Sequence, residues 1–156
     1  MVSMIYRAFN AVNLAPSQFE AGFMSAKPRV VFDCNVFFQA LISPAGPSGR
    51  CVALALEQKL SLFCTAAIIE EVRRTASNPR IRTTYTRITD SAVIILIQNV
   101  ERVAIFMRSV PEPFTYARDA DDAHYVNVAL AANAKYVVSR DHDLLDLMDM
   151  TRPEGR

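Results

Sequence analysis

No run in this 156-residue chain approaches the roughly 20 consecutive apolar residues that a membrane-spanning helix needs, so a membrane role is not expected. An excess of charge is lacking too. Lys and Arg number 17 against 16 Asp and Glu, a formal net charge of +1. That balance gives no global case for nucleic acid or for a membrane surface, and any nucleic-acid contact has to be a local patch. Cysteine is scarce. Cys34, Cys51 and Cys64 are odd in number and lack metal-site spacing, and they read as buried thiols of a reducing compartment, the cytoplasm. Internal repeats and low-complexity tracts are missing as well. What is present is 51% hydrophobic and 21% charged, a globular composition with core enough for one domain.

Residues 1–27 carry the least information. Asn10, Asn13 and Gln18 interrupt any signal-peptide core, Arg7 is a poor leading charge, and Met24 offers an alternative start. The segment reads as an N-terminal extension to a domain spanning 28–156.

From Pro28 onward strands and helices alternate. Val30-Val31-Phe32 is a buried strand, followed by a helix over Val36–Ile42 and a turn-rich loop from Ser43 to Gly49. The pattern continues with a helix from about Arg50 to Gln58, a strand over Ser61–Cys64, and a helix over Ala66–Ala76 capped by Thr65 and ended by Asn78-Pro79. Thr89 or Asp90 caps a further helix over Ser91–Glu101, whose Val93, Leu96, Ile97 and Val100 form one stripe. A strand over Val103–Met107, a helix opened by Asp119, Asp121 and Asp122, a strand over Tyr136–Val138 and a last helix over Leu144–Met148 complete the order. Such alternation argues for an α/β fold with a mainly parallel sheet.

Four acidic groups recur at matching places in this pattern. Asp33 ends a strand, Glu71 lies in a helix that follows a strand, Asp119 and Asp122 share a face at a helix start, and Asp141 and Asp143 end another strand. In a parallel sheet, strand ends and the following helix starts lie on one edge, where open α/β sheets bind ligands. Each acid taken singly has a structural use, as a cap or a complement to the helix dipole. Together they would repel one another unless a cation sat among them, and hard oxygen ligands suit Mg²⁺ or Mn²⁺. Ions held in this way drive phosphoryl chemistry. Five arginines and no acid lie between Arg73 and Arg87, namely Arg73, Arg74, Arg80, Arg82 and Arg87. They read either as a solvated face or as a phosphate-contacting patch.

The pieces V-V-F-D-C-N-V, S-P-A-G-P-S-G-R, T-A-A-I-I-E-E-V, N-P-R and R-D-A-D-D-A-H-Y-V-N-V-A-L-A-A-N-A-K-Y-V-V-S-R-D-H-D-L-L follow one another from Pro28 to Leu145. In that order they resemble the PIN-domain family, in the branch described as toxin components of toxin–antitoxin systems and related to VapC toxins. The resemblance implies a three-layer α/β/α domain and a ribonuclease dependent on Mg²⁺ or Mn²⁺. It implies Asp33, Glu71, Asp122 and Asp141 as the catalytic and metal-binding acids, with Asp119 and Asp143 as further ligands. Asn35, Thr65 and Ser139 match the supporting polar positions. RNA, an antitoxin protein and a second copy of the chain are the partners it implies. Cys34 departs from the family pattern, where threonine or serine is common. The chain also stops at Arg156, short of the further strand that family members carry after the last helix.

Two rivals stand beside this reading. A PIN-like fold could bind nucleic acid or protein without catalysis. A haloacid-dehalogenase-type phosphatase also places an aspartate after its first strand, but it needs a second aspartate two residues on, where this chain has Asn35.

Overall fold

In the computed structural model, residues 27–144 and 146 are described, together with the backbone of residues 4–7. Five strands form one sheet: β1 (Met4–Arg7), β2 (Arg29–Phe32), β3 (Ser61–Cys64), β4 (Ile105–Phe106) and β5 (Tyr136–Ser139). Every pairing is parallel, and the order across the sheet is β1-β5-β2-β3-β4. The helices are α1 (Cys34–Ile42), α2 (Pro47–Leu56), α3 (Ala66–Ala76), α4 (Pro79–Thr84), α5 (Asp90–Val103) and α6 (Ala120–Ala131). The chain steps from β2 through β3 to β4 in one direction, then returns through α6 to β5 on the other side of β2. Parallel crossovers are right-handed, so this reversal puts α6 on the face opposite the earlier helices and makes three layers.

The reversal matters for function. Between β5 and β2 the strand order changes direction, and the crevice at the carboxyl ends of such strands is where open α/β sheets bind ligands. The core beneath it is a continuous apolar set. Val31, Phe32, Val36 and Phe37 come from β2 and α1, Ile68 and Val72 from α3, and Val126, Val128 and Val137 from α6 and β5, each at most 1% exposed.

Several expected boundaries shift. A strand was expected over 103–107. Only Ile105 and Phe106 pair, because α5 runs on to Val103 before Ala104 turns to extended backbone. The second helix begins at Pro47 rather than Arg50, since proline suits the first helical position, where its missing N–H costs nothing. Asn78-Pro79 ends α3 as expected and also starts α4: the Asn78 side chain accepts from Arg80 N, and Pro79 opens the helix. Residues 142–144 and 146 are helical, and the rest of the expected last helix lies outside the described residues. Met4–Arg7, inside the segment set aside as an extension, hydrogen-bonds along the outer edge of β5.

One close approach fixes how α2 leaves the turn. A Cβ added at Gly49 would lie 1.9 Å from the Pro44 carbonyl oxygen, a backbone atom that cannot swing aside. Gly49→Ala should therefore force α2 away from the turn and cost roughly 1–3 kcal/mol of stability, as overpacked sites do. The urea midpoint checks this, and a midpoint within error of the parent would show that the turn yields freely.

Candidate active site

Asp33 leaves the end of β2 and caps α1, and it is 3% exposed. Its position is held from both directions. The backbone N–H of Asp33 donates to Val138 O at 3.0 Å, extending the β2–β5 ladder. Its Oδ1 accepts from Asn35 N at 3.2 Å, and its Oδ2 accepts from Asn35 Nδ2 at 3.4 Å and from Ser139 Oγ at 2.5 Å. Burial still raises the Asp33 carboxyl above the usual range, against the lowering effect of these bonds. The residue two beyond Asp33 is thus an amide that steadies it and has no acidic proton to supply.

Ser139, wholly buried at the end of β5, links two of the acids. Its Oγ donates to Asp33 and accepts from Asp141 N at 2.9 Å, and Asp141 Oδ1 accepts from Asp143 N at 2.9 Å. Asp33 and Asp141 therefore flank the β5–β2 switch point through one shared hydroxyl.

Glu71 is carried in by α3. That helix starts at Thr65, whose Oγ1 accepts from Ile68 N and lies 2.9 Å from His124 Nε2. Glu70 is exposed, while the Glu71 carboxylate turns inward. Its Oε1 accepts from Cys34 Sγ at 3.1 Å and its Oε2 from Tyr125 Oη at 2.6 Å. Tyr125 Oη in turn accepts from Cys34 N at 3.0 Å. Burial, followed by the nearby Asp33 carboxylate, pushes the Cys34 thiol up, so it serves as a donor.

Asp119 caps α6, its Oδ1 accepting from Asp121 N and Asp122 N. Asp122 stands in the first turn of that helix. Its carboxyl is pushed up to about 6 by burial and then by the charges of Asp119, Asp141, Asp33 and Asp143. That mutual influence ties α6, β5 and β2 into one electrostatic unit. Glu71 joins it through Asp33, whose carboxyl the Glu71 charge also raises.

The donor set, all carboxylate oxygen, suits a hard divalent cation in charge and chemistry. Among the described residues, however, no three His, Cys, Asp or Glu side chains are grouped to hold one ion as they stand. Mg²⁺ is commonly bound by one or two carboxylates, with water and substrate phosphate filling its shell, so the set fits that mode of binding.

The arginines divide. Arg82 is structural: Nε donates to Ala76 O at 2.7 Å and Nη1 lies 2.6 Å from Asp90 Oδ1, joining α3, α4 and α5. Arg74 lies 3.8 Å from Asp121. Arg73, Arg80 and Arg87 are exposed. Sequence reasoning missed Tyr125, read as one more apolar position on its helix, and His124. The signal was available for Tyr125, since a tyrosine on a buried face needs a partner for its hydroxyl.

The raised carboxyl of Asp122 has a consequence for stability. Asp122 holds its proton more tightly in the folded chain, about 6 against 3.8 for the ordinary group. As pH rises the unfolded chain sheds that proton first, so the fold loses stability between about pH 4 and pH 6. In metal-free buffer the parent's melting temperature should fall relative to Asp122→Asn across that window and run parallel to it above. Parallel curves throughout would show that Asp122 does not feel its neighbours.

A profile of the PIN domain matches residues 29–143, from the start of β2 past the end of β5. The chain is also similar to an uncharacterized protein of Methanocaldococcus jannaschii, 28% identical over 123 residues, which cover 79% of this chain and 77% of that protein. The profile takes in Asp33, Glu71, Asp122 and Asp141 together with the sheet that gathers them. The chain belongs to the PIN-domain family, whose members are in general nucleases.

Proposed function

We propose that this protein is a metal-dependent ribonuclease that hydrolyses RNA phosphodiester bonds and acts as the toxin of a toxin–antitoxin pair. One observation carries the reading: Ser139 joins Asp33 to the backbone of Asp141 at the sheet's switch point, and Asp122 at the start of α6 feels the charge of both. Carboxylates kept together against their own repulsion make a site for a divalent cation.

Asp33 is the central ligand, because Ser139 and Asn35 fix both of its oxygens in place. Glu71 is oriented by Tyr125 and Cys34. Asp122 and Asp141 complete the acidic wall, with Asp119 and Asp143 behind them. Mg²⁺ or Mn²⁺ bound there would supply an acidified water and positive charge opposite the phosphate oxygens. Burial of Asp33 and Ser139 keeps bulk water away from the inner side of the site. Single-stranded RNA is the substrate class, since an unpaired strand reaches such a groove more easily than stacked duplex does. Arg73, Arg80 and Arg87, all exposed, would meet its backbone. Exposed Ile94 and Ile95 on α5 and Ile105 and Phe106 on β4 offer apolar surface of the kind an antitoxin or a second copy of the chain would cover. The setting is cytoplasmic, in keeping with three free, buried cysteines.

A binding-only PIN fold is the second reading. It is favoured by the lack, among the described residues, of three ligands grouped to hold one ion. Asp33→Asn separates the two. It keeps the size of the side chain and removes one charge, so cleavage of a labelled single-stranded RNA should fall at least a hundredfold, and EDTA should abolish the parent's activity. Cleavage that survives both the substitution and EDTA would sink the metal mechanism. A parent that neither cleaves RNA nor binds Mn²⁺ would favour the binding-only fold.

The arginines are tested by salt. Replacing Arg73 and Arg80 together with alanine should weaken RNA binding and reduce its logarithmic salt slope by about 0.7 per lost contact, the single-strand value. An unchanged slope returns them to solvated surface.

A further inference from the structure

Helix α1 is buried almost all round. Cys34, Val36, Phe37, Phe38 and Ala40 face the core, and within residues 34–40 only Asn35 and Gln39 reach the surface. They lie four residues apart, one turn above the other on a single face. Both carry carboxamides. Beside them opens a cleft of about 360 Å³, lined by Asn35, Gln39, Arg140 and Asp141. Asp141 belongs to the acidic site, so the cleft is the direct continuation of that site along α1. Among the described residues its lining holds two carboxamides, one guanidinium and one carboxylate.

A lining of that kind selects its occupant. Its described residues are all polar or charged, which favours a polar occupant over an apolar side chain or a lipid. It offers a cation for a phosphate and carboxamides that present a donor and an acceptor side by side. Asn35 already uses its Nδ2 to hold Asp33, which ties its orientation to the acidic site. The Gln39 side chain makes no hydrogen bond among the described residues, so its whole carboxamide is available. Carboxamides of Asn and Gln pair bidentately with adenine through N6 and N7. Single-stranded RNA is read in this way, by hydrogen bonds to bases splayed out of the stack.

We infer that the α1–Arg140 cleft is a nucleotide subsite, in which Gln39 reads the base beside the scissile phosphate with a preference for adenine and Arg140 holds the adjoining phosphate. This deepens the ribonuclease reading and rests on it for the position of the scissile bond, while its test uses binding alone. Because the described lining offers carboxamides and a guanidinium, base choice rests on the hydrogen bonds of Gln39 and should be separable from overall affinity.

The test measures anisotropy of labelled hexa-adenylate and hexa-uridylate with the full chain in EDTA, where cleavage does not interfere. The parent should bind the adenylate about tenfold more tightly, the lower end of what a bidentate carboxamide–base pair discriminates. Gln39→Ala should remove most of that ratio while changing uridylate binding less than twofold. Gln39→Glu, which turns a donor into a second acceptor, should disfavour adenylate further. Arg140→Ala should weaken both oligomers alike and flatten their salt dependence. Equal affinity of the parent for the two oligomers, absence of binding to either, or a ratio untouched by Gln39→Ala would overturn the inference. Thermal melts of each variant show that it is folded, and Gln39, half-exposed and without a side-chain bond, tolerates truncation. If the parent binds with the expected ratio but cleaves no RNA with Mn²⁺, the subsite stands and the nuclease reading falls. If it cleaves without base preference, the reverse holds.

Discussion

A carboxylate with almost no access to solvent sits at the end of the central strand, and much of the surrounding structure accommodates it. Asp33 cannot be left in that position alone, since a buried charge without partners is strongly disfavoured. The chain meets the demand with groups from distant places. Asn35 comes from the following turn and Ser139 from β5, while the neighbouring Cys34 is held in turn by Glu71 of α3 and Tyr125 of α6. Each bond also locks an element. Ser139 pins β5 beside β2, and Tyr125 Oη holds the first helical N–H of α1 and the Glu71 carboxylate at once. In offsetting part of the cost of burying Asp33, the fold ties its elements together at the place where its strand order reverses.

Those ties are uneven. The acids nearest β2 are held on both oxygens, whereas Asp122 stands in the first turn of α6 under the charge of four other aspartates. The inner side of the acidic cluster is thus fixed by hydrogen bonds, and its α6 side is shaped by burial and like charge.

Much of the fold was legible because the residues state it locally. Val30-Val31-Phe32 and Tyr136-Val137-Val138 are strands by composition, and Thr65, Thr89 and Asn78 cap helices through their own side chains. The extent of β4 was not legible, because Val103 belongs to a helical stripe and to an apolar run at the same time. Nor was the second role of Asn78-Pro79, which ends one helix and starts the next. At the site, the acids could be picked out from their places after strands and at helix starts. Their partners could not. Tyr125 looks like core in a row of alanine and valine, and only the approach of α3 reveals what its hydroxyl does. Arg82 sits in an arginine-rich stretch that invites one reading for all five, yet the carbonyl of Ala76 and the carboxylate of Asp90 claim it for the scaffold. Contacts between residues far apart in sequence leave no local mark on either one.

The place of β5 in the sheet sets an order of events during synthesis. Among the described strands β5 is synthesised last, yet it lies between β1 and β2, which are made before the others. Until Tyr136–Ser139 emerges, β2 has a bare edge, β1 has no strand to pair with, and Asp33 lacks the Ser139 hydroxyl. At roughly 5–20 residues per second, β1 waits on the order of ten seconds for its partner. Pairing at such sequence separation is intrinsically slow, because the loop must close before any contact repays it. A nascent chain therefore carries Asp33 and Glu71 for much of its synthesis without β5. The docking of β5 is thus also the step that brings Ser139 against Asp33, so a half-made copy of this protein holds the first acids but not the arrangement around them.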